Sequence, residues 1–213
     1  MITRTINMSP EESRIHAHIC LDGNMSKGIS RRCKSELLER PNRKFRTRYN
    51  ITYWNYSEEL RKEFQNDIKK VYNRECVVDN KYKRVKTDGK WIFERLLFLG
   101  AGKSREWNIP KLILNGSMRV KKEWIRVAID DEGTITKYGA VRIRSVNKKG
   151  MIQLQKMILS LGINSNITPK RGVYKDSSIY LAINKTEVPK LIMHIGLPKH
   201  EEKKRKLKII FRI

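Results

Sequence analysis

One order of elements occurs twice in this 213-residue chain, and that repeat limits the possible folds more than any other feature. The first round opens with "SPEESRIHAHICLDG". Ser9 reads as the N-cap, Pro10 takes the first helical position and Glu12 is the capping-box acid. The helix should run to about Leu21 and stop at Gly23. A basic stretch without periodicity, 24–43, follows. "KFRTRYNITYW" then alternates as a strand, with Phe45, Thr47, Tyr49, Ile51 and Tyr53 on one face and Arg46, Arg48, Asn50 and Thr52 on the other. "SEELRKEFQNDIKKVYN" is an amphipathic helix capped by Ser57. "ECVVDNKYKRVKTDG" reads as a hairpin turning at Asp79–Asn80, and "KWIFERLLFLG" as a helix ending at Gly100. The second round has the same order: "SMRVKKEWIRVAIDDEG", the strand "GAVRIRSVN", the helix "KGMIQLQKMILSLGI", the hairpin "ITPKRGVYKDSSIYLAIN" and the helix "EVPKLIMHIG".

From acid-glycine to closing glycine the first round spans 77 residues (23 to 100) and the second 63 (133 to 196). The excess of 14 falls around 31–43. The boundaries follow: a first repeat at 9–100, a linker at 101–116, a second repeat at 117–200 and a basic tail at 201–213. "GAGKS" at 100–104 imitates the end of a phosphate-binding loop. It lacks the earlier glycine, since Leu97 stands there, and the segment before it reads as a helix.

Both first helices end in acids, which is unfavourable at the negative end of a helix dipole. If the two helices pack side by side about a pseudo-twofold axis, with Ala17 and Ala128 allowing close approach, Asp22 and Glu132 meet at one end. Such a pair is tolerable if cations bind between them. Hard oxygen ligands suit Mg²⁺, with waters and substrate phosphates as its remaining ligands. The charge balance points to that substrate. Lys and Arg number 47 against 22 acids, a net charge of +25, which attracts nucleic acid. Hydrophobic residues, at 39%, suffice for a core. Three cysteines without zinc or disulfide spacing fit a reducing, cytoplasmic setting. No apolar signal core and no long apolar run is present, so neither export nor a membrane is expected.

"IHAHICLDG" (15–23) and "IRVAIDDEG" (125–133) resemble two copies of the LAGLIDADG motif, and the flanking order resembles single-chain, two-repeat LAGLIDADG homing endonucleases over about 9–200. The resemblance implies an α+β fold of two αββαββα repeats, whose antiparallel sheets form a saddle over DNA. It implies that Asp22 and Glu132 bind metal and activate water, with Gly23 and Gly133 at the metal site. It also implies Mg²⁺, in two or more ions, with Mn²⁺ as a substitute. The implied activity is cleavage of both strands of a long asymmetric site across the minor groove, leaving short 3′ overhangs, by a monomer.

Departures are visible. Val127 and Ala128 stand where glycine is usual, so a wider or shifted helix contact is expected. Cys20 replaces an acid of the first motif. Asp130 matches an acid that is usually structural. Asp131 has no assigned role and is the second choice of ligand after Glu132. Basic strand residues near the scissile phosphates are expected among Lys27, Arg46, Lys137 and Arg142. On physical grounds Arg46, Arg48, Asn50, Arg142 and Arg144 are the base-reading candidates. Lys83 and Lys86, with Lys170 and the basic runs at 148–150 and 199–208, are phosphate contacts. His16 and His18 are packing or surface groups, His194 and His200 have no evident partner, and all four tryptophans are placed in the core. Two alternatives stay open: an RNA-binding maturase acting on intron RNA, and a catalytically silent DNA-binding protein.

Overall fold

The computed structural model describes residues 8–34, 42, 44–169 and 178–213. The repeat is there in full. In the first half α1 (Pro10–Leu21), β1 (Gly23–Arg31), β2 (Phe45–Trp54), α2 (Glu58–Tyr72), β3 (Val77–Asp79), β4 (Arg84–Asp88) and α3 (Lys90–Phe98) follow one another. A short helix, α4 (Lys111–Leu114), lies between the halves. The second half is α5 (Met118–Glu132), β5 (Gly133–Ile135), β6 (Val141–Ser145), α6 (Lys148–Leu159), β7 (Asn166–Pro169), β8 (Ile179–Ile183) and α7 (Val188–Ile195). Each half builds one antiparallel four-stranded sheet, ordered β1-β2-β4-β3 and β5-β6-β8-β7. Among the described residues, no helix is long and apolar enough to cross a membrane.

The helix starts follow the caps read from sequence. Ser9 Oγ accepts from Glu12 N at 3.0 Å, and Ser57 Oγ accepts from Leu60 N at 3.4 Å. Ser117 Oγ accepts from Val120 N, also at 3.4 Å. The strands β1 and β5 carry no clear alternation, and periodicity did not find them. They form because Gly23 and Gly133 let the chain fold straight back over the helix that ends there. A Cβ on Gly23 would lie 2.4 Å from Ile19 Cα, and one on Gly133 2.4 Å from Ile129 O. Register locates the extra residues of the first half: Gly23 pairs with Tyr53, whereas Gly133 pairs with Ile143. The stretch from that glycine to its partner is thus 20 residues longer in the first half (30 against 10), and the remainder, up to the closing glycine, is 6 residues longer in the second, which leaves the net excess of 14.

α1 and α5 pack in parallel at the centre. Ala17, Val127 and Ala128 are fully buried between the halves. Ser13 Oγ donates to Val120 O at 2.9 Å near the start of the pair, and Trp124 Nε1 donates to His16 Nδ1 at 3.1 Å further along. Since Trp can only donate, His16 Nδ1 accepts and its Nε2–H donates to Leu99 O at 3.1 Å. Burial lowers the His16 pKa to about 4, which keeps this tautomer neutral.

Several expectations need correction. Trp107 and Trp124 are core, but Trp54 and Trp91 are 38% and 55% exposed: Trp54 lines a cavity, and Trp91 meets the Tyr72 ring edge-on at 5.0 Å. Phe45, at the outer end of β2, is exposed although it shares the apolar face. Within the basic tail 201–213 lies a helix, α8 (Glu201–Phe211), which docks through buried Leu207. "GAGKS" serves as a helix end: Gly100 has φ +88, its N–H donates to Leu97 O, and Ala101 N–H donates to Leu96 O. Beyond it the linker is clamped on α6. Ile109 N donates to Gln153 Oε1 at 2.9 Å, and a Cβ on Gly150 would meet the Trp107 ring at 2.1 Å.

Gly150→Ala should therefore cost about 1–3 kcal/mol by overpacking. Gly28→Ala, where a Cβ meets nothing within 4 Å, should change stability little. Urea denaturation of the two variants checks the contrast.

Candidate metal and nucleic-acid site

The parallel packing of α1 and α5 brings two acidic carboxyl ends together. Four carboxylates collect there, and the sequence supplies each with different neighbours. Asp130 accepts from Arg126 Nη1 at 2.6 Å and from His200 N at 2.9 Å, and its side chain is fully enclosed. Burial, only partly offset by Arg126, raises its pKa to about 6. These two contacts tie Asp130 to its own helix and to the segment that follows the second repeat. Cys20, at the matching position of α1, is buried beside His16, and desolvation holds its thiol protonated.

Asp131 acquires a role that no sequence signal gave it. Its Oδ2 accepts from His18 Nδ1 at 2.8 Å, and its Oδ1 accepts from Tyr53 Oη at 2.8 Å and Asn55 Nδ2 at 3.3 Å. His18 is completely buried, and its Nε2 faces Glu63 of α2 at 3.6 Å. Burial opposes a charge on this ring, but the charge and hydrogen bond of Asp131 and the carboxylate of Glu63 prevail, raising its pKa to about 9. Glu63 in turn binds Arg126 at 2.7 Å and an ammonium from Lys199. Burial works to raise its pKa, but these cations hold it well below the usual carboxylate range. His18 is thus held, buried, between two carboxylates; reading it as a packing or surface group missed the pair it makes across 113 positions of sequence.

Asp22 and Glu132 occupy equivalent places, each one residue before the glycine that opens β1 or β5. Burial, then the charges of Asp131 and Glu132, raises the Asp22 pKa to about 7. Burial, then Asp131, raises that of Glu132 to about 7. Asn55 Nδ2 donates to Asp22 Oδ2 at 3.3 Å, and Asn55 Oδ1 accepts from Ser57 N at 2.9 Å, which fixes the amide's orientation. Each acid opens on its own cavity. That of Asp22, about 670 Å³, is lined by Trp54, Asn55 and Lys83; that of Glu132, about 240 Å³, by Cys20, Arg144 and Ser145. By register Trp54 and Asn55 correspond to Arg144 and Ser145, so the cavities are related by the repeat.

A divalent cation fits this chemistry. The donors are hard carboxylate oxygens, and two of them hold their protons too tightly for water-exposed acids, which bound positive charge would relieve. Among the described residues, no group of three or more His, Cys, Asp and Glu side chains forms a metal-binding cluster. A cation at Asp22 and Glu132 would therefore take further ligands from water and phosphate. Gly23 and Gly133 have a steric reason to be glycine, described above.

The sheets place the basic candidates unevenly. Directly paired residues share a face. Arg46, Arg48 and Asn50 lie opposite Ser30, Gly28 and Ser26 on the face of sheet one away from Tyr49, Ile51 and Tyr53, and Lys86 joins them through its pairing with Thr52. Lys27 does not. It pairs with Tyr49, with its Nζ 5.6 Å from that ring, on the helix-facing side. In sheet two Arg142 and Arg144 share a face with Thr134, Tyr180 and Ala182, away from Val141 and Ile143. Arg144 lines the Glu132 cavity, which puts it among the groups near the carboxylates rather than out along the sheet. Lys83 is in the β3–β4 turn at φ +51, and Lys137 is exposed over Tyr138 in the β5–β6 turn. Lys170 falls outside the described residues.

Residues 119–196 match the family model of the LAGLIDADG-like domain. The fold of the chain agrees over nearly its whole length with solved structures of the homing endonuclease I-DmoI. One, of mesophilic variants, is 17% identical with a TM-score of 0.65, covering 89% of this chain and 97% of that one. Another, I-DmoI in complex with DNA and Mn, is 16% identical with a TM-score of 0.64, covering 88% and 96%. Full-length DUF199/WhiA from Thermatoga maritima is 14% identical at a TM-score of 0.56, covering 96% of this chain and 61% of that one. At these identities the likeness is one of fold. No curated protein matches the chain.

The buried charges set a pH dependence. His18 is raised from 6.5 to about 9, so its contribution is complete below pH 6.5 and is lost as pH rises through 9, at most about 3 kcal/mol. Asp22 and Glu132 are raised as well, so their ionisation costs stability that grows from about pH 4 to 7. Metal-free protein should lose stability from pH 6 to 9.5. Asp131→Asn, which removes the main partner of His18, should flatten the upper part of that decline in urea titrations.

Proposed function

We propose that this protein is a site-specific endonuclease that cuts both strands of DNA with a divalent cation, Mg²⁺ with Mn²⁺ as a substitute. The observation that carries this reading is the pair of carboxylates, Asp22 and Glu132, at the joined ends of two parallel helices, each followed by a sheet with a basic outer face. I-DmoI, which shares the fold, has been solved with DNA and with Mn or Mg, and that likeness supports the reading.

In this reading Arg46, Arg48, Asn50, Arg142 and Arg144 approach base edges or nearby phosphates in the major groove, while Lys83, Lys86 and Lys137 contact phosphate. Asp22 and Glu132 hold the cation, which when bound supplies Lewis-acid stabilisation and a more acidic water. Asn55 fixes the direction of the Asp22 carboxylate. Tyr53 and His18 hold Asp131 in place, so that it sets the local charge without taking the role of Glu132. Arg144, beside Glu132 and donating from Nε to Ser178 Oγ at 3.2 Å, would turn its guanidinium to a phosphate oxygen. Cleavage across the minor groove, 3′ overhangs, action as a monomer and a role in the movement of an intron or other mobile element complete the proposal.

The substrate is a supercoiled plasmid carrying the sequence that flanks the protein's own gene, joined across the insertion. With Mg²⁺ the wild type should yield linear product, and EDTA should abolish it. Asp22→Asn and Glu132→Gln remove a charged ligand each while keeping shape. Cutting should fall by about 10²-fold or more, with accumulation of nicked circles, while DNA affinity in Ca²⁺ holds or rises. Wild-type cutting by both variants would exclude these acids. Tight DNA binding without cutting by the wild type would favour a silent DNA-binding protein.

Binding should also be strongly salt-dependent. If about eight phosphates are neutralised, log K should fall with log salt at a slope near −7, from about −0.9 per contact. A flat response in gel-shift titrations would remove the sheets from the DNA.

A further inference from the structure

We propose that Lys203 is a positioning residue of this carboxylate site: a fixed ammonium that shapes the last turn of α5 and competes with the divalent cation for the negative charge of Asp22 and Glu132. The inference rests on the reading above for the identity of the site, but not for the contacts that define the lysine.

Lys203 belongs to α8, which lies after both repeats. The helix is seated by three anchors. His200 N donates to Asp130 Oδ1 at 2.9 Å, Lys199 pairs with Glu63, and Leu207 is buried. A Cβ on Gly139 would meet Ile210 Cγ2 at 2.9 Å, so α8 also lies close over the β5–β6 turn. This seating aims Lys203 at the end of α5. Its Nζ donates to Ile129 O at 2.9 Å, to Asp130 O and, at 3.4 Å, to Asp131 O.

Those carbonyls belong to the last turn of a helix, where several acceptors lack an intrahelical partner and the dipole is negative. No basic residue of α5 itself stands in that turn. An ammonium has three N–H donors, and all three are directed at the helix. Lys203 is therefore not placed to bind a DNA phosphate, unlike Lys83 or Lys137 on their exposed turns. Its charge nonetheless acts on Asp22, Asp130, Asp131 and Glu132 together. Two consequences follow. The turn that carries Glu132 is held in one arrangement, and part of the negative potential that attracts a divalent cation is already offset.

Lys203→Met and Lys203→Gln remove the charge, and the Gln variant keeps amide donors for the carbonyls. Lys203→Arg keeps the charge. Mn²⁺ titration calorimetry on the full-length, DNA-free protein reads the electrostatic part: both neutral variants should bind Mn²⁺ at least about threefold tighter, and the Arg variant as wild type. Single-turnover nicking at saturating Mg²⁺ reads the positioning part. The Met variant should fall about tenfold, with the half-saturating Mg²⁺ concentration lowered and not raised. Folding is followed by circular dichroism, and the Gln variant decides the matter if the Met variant unfolds. Unchanged Mn²⁺ affinity in a folded neutral variant overturns the proposal. Wild-type protein that binds Mn²⁺ and nicks no DNA overturns the nuclease reading alone, since the Mn²⁺ comparison still decides the role of Lys203.

Discussion

Everything at the centre of this molecule depends on two helices running parallel with their carboxyl ends side by side. Like ends of helix dipoles repel, and the sequence sharpens the problem by adding Asp22, Asp130, Asp131 and Glu132. The helices stay together because small side chains, Ala17 and Ala128, let them touch, and because bonds run from one helix to the other along their length. The charge is then handled residue by residue. Arg126 binds Asp130, His18 binds Asp131, and Lys203 takes the last carbonyls of α5. Asp22 and Glu132 are left with pKa values raised to about 7, a state that a bound divalent cation would relieve. In the proposed function, local instability at the helix ends is the property that a metal and a phosphate would use.

The two halves are related but unequal. The first has a long hairpin, with β1 and β2 running nine and ten residues, while β5 and β6 have three and five. Asn55 attends Asp22, and Arg144 stands beside Glu132. His18 reaches from the first motif to Asp131 of the second, with no equivalent pair in the other direction because Leu21 occupies the matching place. Such inequality suits an asymmetric ligand, since each half presents different side chains to it.

Much of the architecture was legible in the sequence. Helices with Ser caps and glycine stops, the alternating β2 and the doubled order all come from local rules that tertiary packing did not override. β1 escaped periodicity because most of it is exposed on both faces, so no apolar alternation was needed. Trp54 and Trp91 misled because bulk and apolarity do not show which face of an element remains uncovered. Within the site, Asp22 and Glu132 were readable from their place before a glycine. The partners of Asp131 were not, because His18, Tyr53 and Asn55 come from distant segments with no shared motif. Lys203 lay hidden in a basic run, where one lysine looks like any other until the helix docks. The face that Lys27 takes could not be read for the same reason that β1 was missed, since without an established strand its register could not be counted.

The central claim is that Asp22 and Glu132, though each opens on its own cavity, lie close enough to repel, and that a divalent cation removes the repulsion. A double-mutant cycle on folding stability tests it directly, using Asp22→Asn, Glu132→Gln and the pair at pH 8. Without metal, each single change should stabilise the protein. The double should gain less than the sum of the singles, because the mutual repulsion can be relieved only once, and saturating Mg²⁺ should abolish or reverse these gains. Strict additivity, or destabilisation by each single change without metal, would mean that the two carboxylates act independently, and the account of the joined helix ends would be wrong.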